Sequence, residues 1–290
     1  MHSLENQLLC IKIHDKGAEL HSIYEKKEKL EYLWQGDEKF WPRHAPVLFP
    51  IVGKVNGNVY KVCGMKYSLP QHGLARDLDF KLIEEDSHSL LFELAYSEET
   101  LKVYPYKFKF QIGYQLTENT LKIKYRVINQ DDRDIYFSLG AHPGFNCPLY
   151  SEEKFEDYYL EFEENESVHT MCLNEKGYFK RETKSLLNNE KKIALNYDLF
   201  KDDALVFKNL KSQSICLKGS KNSKGLEVNF KGFPFLGIWT KNSGAPFVCI
   251  EPWYGHADFE DFNGEFKDKS GIVKLEKGKD FNAEMSISIL

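Results

Sequence analysis

Two residues set at the ends of apolar runs carry the strongest chemical signal in this chain. His142 lies in Leu139-Gly140-Ala141-His142-Pro143-Gly144-Phe145, directly after the largely apolar stretch 135–139. Two glycines and a proline fix the path of the backbone there, so the ring is oriented more tightly than packing alone requires. An imidazole, with an unperturbed pKa of about 6.5, can give or take a proton near neutral pH. Glu251 ends the run Phe247-Val248-Cys249-Ile250 and is followed by Pro252 and Trp253. A carboxylate in such company is costly unless something pairs with it, and apolar neighbours make it a better proton acceptor. The alternative reading is structural, a strand-end glutamate accepting from a backbone amide.

Two other segments place polar groups among apolar ones. In Gln71-His72-Gly73-Leu74-Ala75-Arg76-Asp77, the glycine after His72 predicts a tight turn that presents the imidazole, for function or simply for structure. Residues 42–50 hold Pro42, Pro46 and Pro50, which exclude a helix or a central strand and predict a rigid extended loop. Arg43 in that loop is either a clamp for hydroxyls or carboxylates, or a surface residue laying its stem on Trp41. No glycine-rich phosphate loop, HExxH pair or GxSxG elbow is present. His72 and His142 could bind a metal, but without an HxH or HxxxH pair the remaining ligands would have to come from distant residues. No metal is expected.

The elements that must position these groups read as strands. In 121–127, Leu, Ile, Tyr and Val alternate with Lys and Arg, the period of a half-buried strand. Residues 108–116 read the same way, and Thr117-Glu118-Asn119-Thr120 between them reads as a hairpin turn. Phe281, Ala283, Met285, Ile287 and Ile289 repeat the pattern, as do shorter runs near 11–13, 158–162, 215–217, 226–230 and 247–250. A short helix is predicted after Ser97, limited by Pro105. The lysine- and asparagine-rich stretch 180–192 is expected to be an exposed loop with a short strand nearby. With no repeat and no linker, the expectation is one all-β domain over 1–290, a large antiparallel β-sandwich or an opened barrel.

Composition narrows the partners. A net charge of −5 gives no electrostatic reason to bind nucleic acid or anionic lipid. No apolar run approaches the ~18 residues of a membrane span. The first residues lack the features of a secretory signal. Six cysteines without a CxxC motif are expected to be reduced, buried, small hydrophobes, and the protein to be cytoplasmic.

Taken in order, the segments resemble the aldose 1-epimerase (mutarotase) superfamily, most closely its LacX-like branch. The resemblance runs from Gly17-Ala18-Glu19-Leu20 and Glu31-Tyr32-Leu33-Trp34 through Arg43, the 45–50 loop and His72-Gly73-Leu74-Ala75-Arg76. It continues through Gly140 to Phe145, Asp203-Ala204-Leu205-Val206 and Glu251-Pro252-Trp253. It implies a galactose mutarotase-like supersandwich that interconverts the α and β anomers of an aldose without metal or organic cofactor. Glu251 would be the base and His142 the acid, a carboxylate and an imidazolium near neutral pH. His72 would hold the sugar, Asp203 would accept from its hydroxyls, and Arg43 or Arg76 would donate to them.

The implied partner is an aldohexose, bound by a monomer or homodimer. Gly53-Lys54-Val55-Asn56-Gly57-Asn58 lacks the second arginine of the galactose enzymes' Gly-Arg-x-x-Asn-Arg segment. Galactose is therefore in question as the substrate. Arg76 follows the His-Gly pair as in the related hexose-6-phosphate epimerases, so a phosphorylated sugar is an alternative. A binding protein without turnover and a glycosidase using Asp203 as its second carboxylate are the others.

Overall fold

Alternation in the sequence becomes register in the structure, a computed structural model that describes residues 1–290. Phe108–Thr117 and Thr120–Asn129 pair antiparallel from Phe108 opposite Asn129 to Thr117 opposite Thr120, leaving Glu118 and Asn119 as the turn. The apolar members of the alternation are buried along most of both strands, including Phe110, Ile112, Leu121 and Ile123. These strands lie inside a nine-stranded antiparallel sheet. Its order is Phe179–Ala194, Tyr158–Leu173, Ser214–Gly219, Gly225–Asn229, Asp280–Ile289, Thr120–Asn129, Phe108–Thr117, Ser89–Ala95 and Lys81–Glu85.

A six-stranded sheet faces it and carries the candidate site. Its path runs Leu205–Lys208, Phe235–Trp239, Phe247–Tyr254, Leu139–Ala141 and Val47–Leu48, with Gly144–Asn146 also paired to Phe247–Tyr254. Aromatic rings join the layers: Phe49 stacks on Phe110 at 4.7 Å, Phe162 meets Phe207 edge-on at 6.0 Å, and Tyr254 meets Phe281 at 4.9 Å. Each such ring contributes about 1.5–3 kcal/mol relative to exposure. One contiguous core extends from Leu4 to Ile289. The architecture is the antiparallel β-sandwich that the periodicity predicts.

Three local outcomes differ from expectation. Residues 180–192 are not a loop. They belong to the 16-residue strand Phe179–Ala194, paired with Tyr158–Leu173 through several register shifts. Only Phe179, Leu187 and Ile193 of that strand are buried. It is an edge strand exposed on both faces, and backbone pairing holds it where no side-chain alternation could announce it. Within the proline-rich segment, Val47–Leu48 pairs at the edge of the site sheet, so the stretch is not loop throughout. All six cysteines are free thiols, but only Cys147 and Cys249 are buried, and Cys63 is exposed. The helix forms as expected at Glu98–Val103, capped by Ser97 and ended at Tyr104, before Pro105.

Candidate active site

The site is built where one antiparallel pairing along a single strand is briefly interrupted. Leu139–Ala141 pairs with Phe247–Tyr254, Gly140 opposite Trp253, while its other side pairs with Val47–Leu48. Pairing lapses at His142 and Pro143 and resumes in the same direction and register at Gly144–Asn146, with Gly144 opposite Cys249. His142 therefore sits between two short strands that both bond to the strand bearing Glu251. A Cβ at Gly140 would lie 2.6 Å from Trp253 Cδ1, so only glycine permits that approach. His142 Nε2 comes to 3.2 Å from Glu251 Oε2.

These two groups line a cavity of about 380 Å³, together with His72, Arg76 and Asp203. Five of the six residues singled out in the sequence thus share one cavity. The sixth, Arg43, lies outside its lining and donates to Asp77 Oδ1 at 2.9 Å. Asp77 Oδ2 is also 3.7 Å from Arg76 Nε, so one carboxylate serves both guanidinium groups. Arg76 donates to the Gln71 carbonyl at 2.7 Å, and its buried Nε has no hydrogen-bond partner. Burial and the neighbouring Arg43 lower Arg76 to about 10.

Turn geometry sets His72 and Asp203. His72 (φ 67°) and Gly73 (φ 75°) both occupy the left-handed region, and a Cβ on Gly73 would be 2.4 Å from the Phe49 carbonyl oxygen. His72 Nδ1 accepts from the Gly53 amide at 3.2 Å, and the His72 amide donates to the Gly53 carbonyl at 2.7 Å. Asp203 also has positive φ, 82°, and accepts from the Ala204 amide at 2.8 Å.

Burial dominates the electrostatics of the pair. Glu251 is 1% exposed and His142 8%. Burial, reinforced by the charge of Asp203, pushes Glu251 well above the usual carboxylate range. Burial lowers His142 to about 3, and the charges of Arg76 and Arg43 act in the same direction. Burial also drives His72 well below its ordinary value. Burial thus works against the charged form of both groups. Both His142 Nδ1 and Glu251 Oε2 are buried without a hydrogen-bond partner.

Trp239 and Lys176, which gave no chemical signal in the sequence, complete the cavity wall with Trp41 and Lys54. Trp41 stacks on the His142 ring at 4.9 Å, and Trp239 meets it edge-on at 5.8 Å. Lys54 and Lys176 also line the cavity, with Lys54 Nζ donating to the Lys176 carbonyl at 3.1 Å. Behind this wall, Lys269 Nζ donates to Asp258 Oδ1 at 2.7 Å, and Asp258 Oδ2 accepts from the Asn56 amide at 2.9 Å. That buried pair anchors the 53–56 turn on which His72 rests. Donor atoms capable of holding a metal converge within 4.8 Å at His142, Cys249 and Glu251, and again at Glu19, His21 and His44. The fold thus assembles such groups from distant residues. In the second group, His21 and His44 stack face to face at 3.9 Å, which turns ring faces rather than nitrogens toward each other.

Comparison with known proteins agrees with this architecture. The family model described as Aldose 1-epimerase matches residues 1–274. The chromosomal LacX protein of Lactococcus lactis subsp. lactis is 34% identical over 280 residues, 94% of this chain and 93% of that one. A galactose mutarotase related enzyme from Lactobacillus acidophilus superposes with a TM-score of 0.95 at 36% identity, covering 100% of this chain and 97% of its own. A galactose mutarotase-like protein from Lactobacillus casei ATCC 334 also gives 0.95, at 29% identity and full coverage of both. The sandwich is of the galactose mutarotase-like kind, and this chain belongs to the aldose 1-epimerase family.

Proposed function

We propose that the protein interconverts the α and β anomers of an aldose, with Glu251 and His142 moving the protons. The observation that carries this reading is the 3.2 Å approach of His142 Nε2 to Glu251 Oε2 at the wall of a cavity sized for a sugar. Opening a pyranose requires removal of the proton from the C1 hydroxyl and delivery of one to ring O5. Both oxygens are substituents of a single carbon, so an acid and a base that nearly touch can reach both at once.

The resting pair supplies the one proton this exchange needs. Moving that proton from Glu251 to His142 as the sugar binds gives a carboxylate to act on the C1 hydroxyl and an imidazolium to act on O5. The opened aldehyde turns about C1–C2, and reversing both transfers closes either anomer. Each positioned transfer is worth about 10²–10⁴-fold. Asp203 accepts from sugar hydroxyls, His72 holds the ring near His142, and Arg76 donates from the other side. Arg43 acts through Asp77 rather than on the sugar.

A phosphorylated aldose is the second reading. It is favoured by Arg76, with a buried unpartnered Nε, and by Lys54 on the same cavity. Guanidinium suits phosphate oxygens in a way that a lone ammonium does not.

Polarimetry or exchange NMR on freshly dissolved α-glucose, α-galactose and their 6-phosphates tests both readings. Faster equilibration than buffer for at least one sugar is the expected result, and the preferred member decides between free and phosphorylated substrate. Rates equal to buffer for all four would reject turnover. Saturable sugar binding alongside such rates would identify a binding protein, and release from a chromogenic glycoside would identify a glycosidase.

A further inference from the structure

We propose that the indole face of Trp41 is a positioning group for His142, stabilising the imidazolium that forms when the proton crosses from Glu251. The inference rests on the epimerase reading above and deepens it. Its starting point is geometric. Trp41 stacks on His142 with ring centroids 4.9 Å apart and planes 27° from parallel, which sets the π face against the imidazole. A cation over an indole face is attracted by the ring quadrupole, and more strongly where water is excluded.

The indole is held firmly in that position. The Trp41 amide donates to the Asp37 carbonyl at 2.9 Å, and the Trp41 carbonyl accepts from Trp34 Nε1 at 2.8 Å. Phe247 stacks on the same indole at 5.5 Å, and Trp239 meets it edge-on at 5.8 Å. Gly144 makes room: a Cβ there would be 3.0 Å from Trp41 Cζ3.

The imidazolium needs such a partner because its surroundings oppose it. Water is largely excluded, the charges of Arg76 and Arg43 disfavour a further cation, and the neighbouring His72 is neutral. Glu19 contributes a favourable charge, but it is engaged by the His44 and Ala45 amides at 2.9 Å each. Once Glu251 is ionised its carboxylate faces the imidazolium from one direction, and the Trp41 face covers another.

Replacing Trp41 in the full chain by mono-, di- and trifluorinated tryptophan tests this, because fluorine drains the π face while nearly preserving shape. The expected result is a stepwise fall in kcat, about tenfold across the series, with KM unchanged. Trp41→Phe should fall within that range and Trp41→Leu below it. A flat kcat with rising KM would overturn the inference and make Trp41 a platform for the sugar.

His142→Gln, assayed alongside, separates the two levels of argument. An inactive His142→Gln with a flat fluorine series removes only the role of Trp41. Turnover by His142→Gln at the native rate, or none by the native protein, removes the reading beneath it as well.

Discussion

The molecule contains two buried acid–base pairs that differ in how fully their hydrogen bonds are made. Asp258 and Lys269 are 2.7 Å apart, both less than 5% exposed, and Asp258 spends its other oxygen on the Asn56 amide. Their hydrogen bonds are made, as a buried ion pair requires if it is to persist. Glu251 and His142 are 3.2 Å apart and similarly buried, yet each keeps a polar atom with no partner, and they open onto a cavity. The first pair is satisfied and anchors a turn. The second is left wanting a ligand, and burial disfavours charge on both of its members.

Glu251→Gln should produce the largest contrast. It keeps the shape and removes the titrating proton, so anomer exchange should fall by about 10²–10⁴-fold while the protein remains folded. Turnover at the native rate would move the base elsewhere. The converse substitution is Lys269→Met, which leaves the Asp258 carboxylate buried and alone. A loss of about 3–5 kcal/mol in denaturant unfolding is expected, with partial recovery when Asp258→Asn is added. A loss below about 1 kcal/mol would show that this pair is not the anchor.

The smallest effect is a difference in pH dependence. Glu251 has a folded pKa above its ordinary 4.5, so its contribution is complete below that value and is lost as pH rises through the folded one. His142, lowered from 6.5 to about 3, contributes fully above 6.5 and loses that contribution as pH falls toward 3. Relative to the native protein, Glu251→Gln should therefore gain stability as pH rises, and His142→Gln should gain as it falls. Parallel urea titrations from about pH 5 to 8 would reveal the divergence. Two curves that shift together would mean that the pair does not rest neutral.

Much of this was legible in the residues. Strands such as Thr120–Asn129 and Asp280–Ile289 announce themselves because one face is buried and the other wet. Phe179–Ala194 does not, since an edge strand exposed on both faces has no reason to alternate. In the site, His142 and Glu251 stood out because polar groups closing apolar runs demand an explanation. Trp41 could be noticed but not its partner, for nothing along the chain says which ring will lie on which. Lys269 was beyond reach: in Phe266-Lys267-Asp268-Lys269-Ser270 it looks like any solvated lysine, and only the fold buries it beside Asp258. The proton states of the central pair were equally hidden, because they follow from burial rather than from residue type.

The long polar strand at the rim of the large sheet has a consequence for how the protein behaves in a crowded solution. An unpaired row of amides and carbonyls would ordinarily invite a second molecule to add its own strand. Here Lys180, Arg181, Lys184, Lys191 and Lys192 stud that border, and its irregular pairing interrupts the straight template that stacking needs. A molecule built this way can end a nine-stranded sheet in the open without seeding fibres.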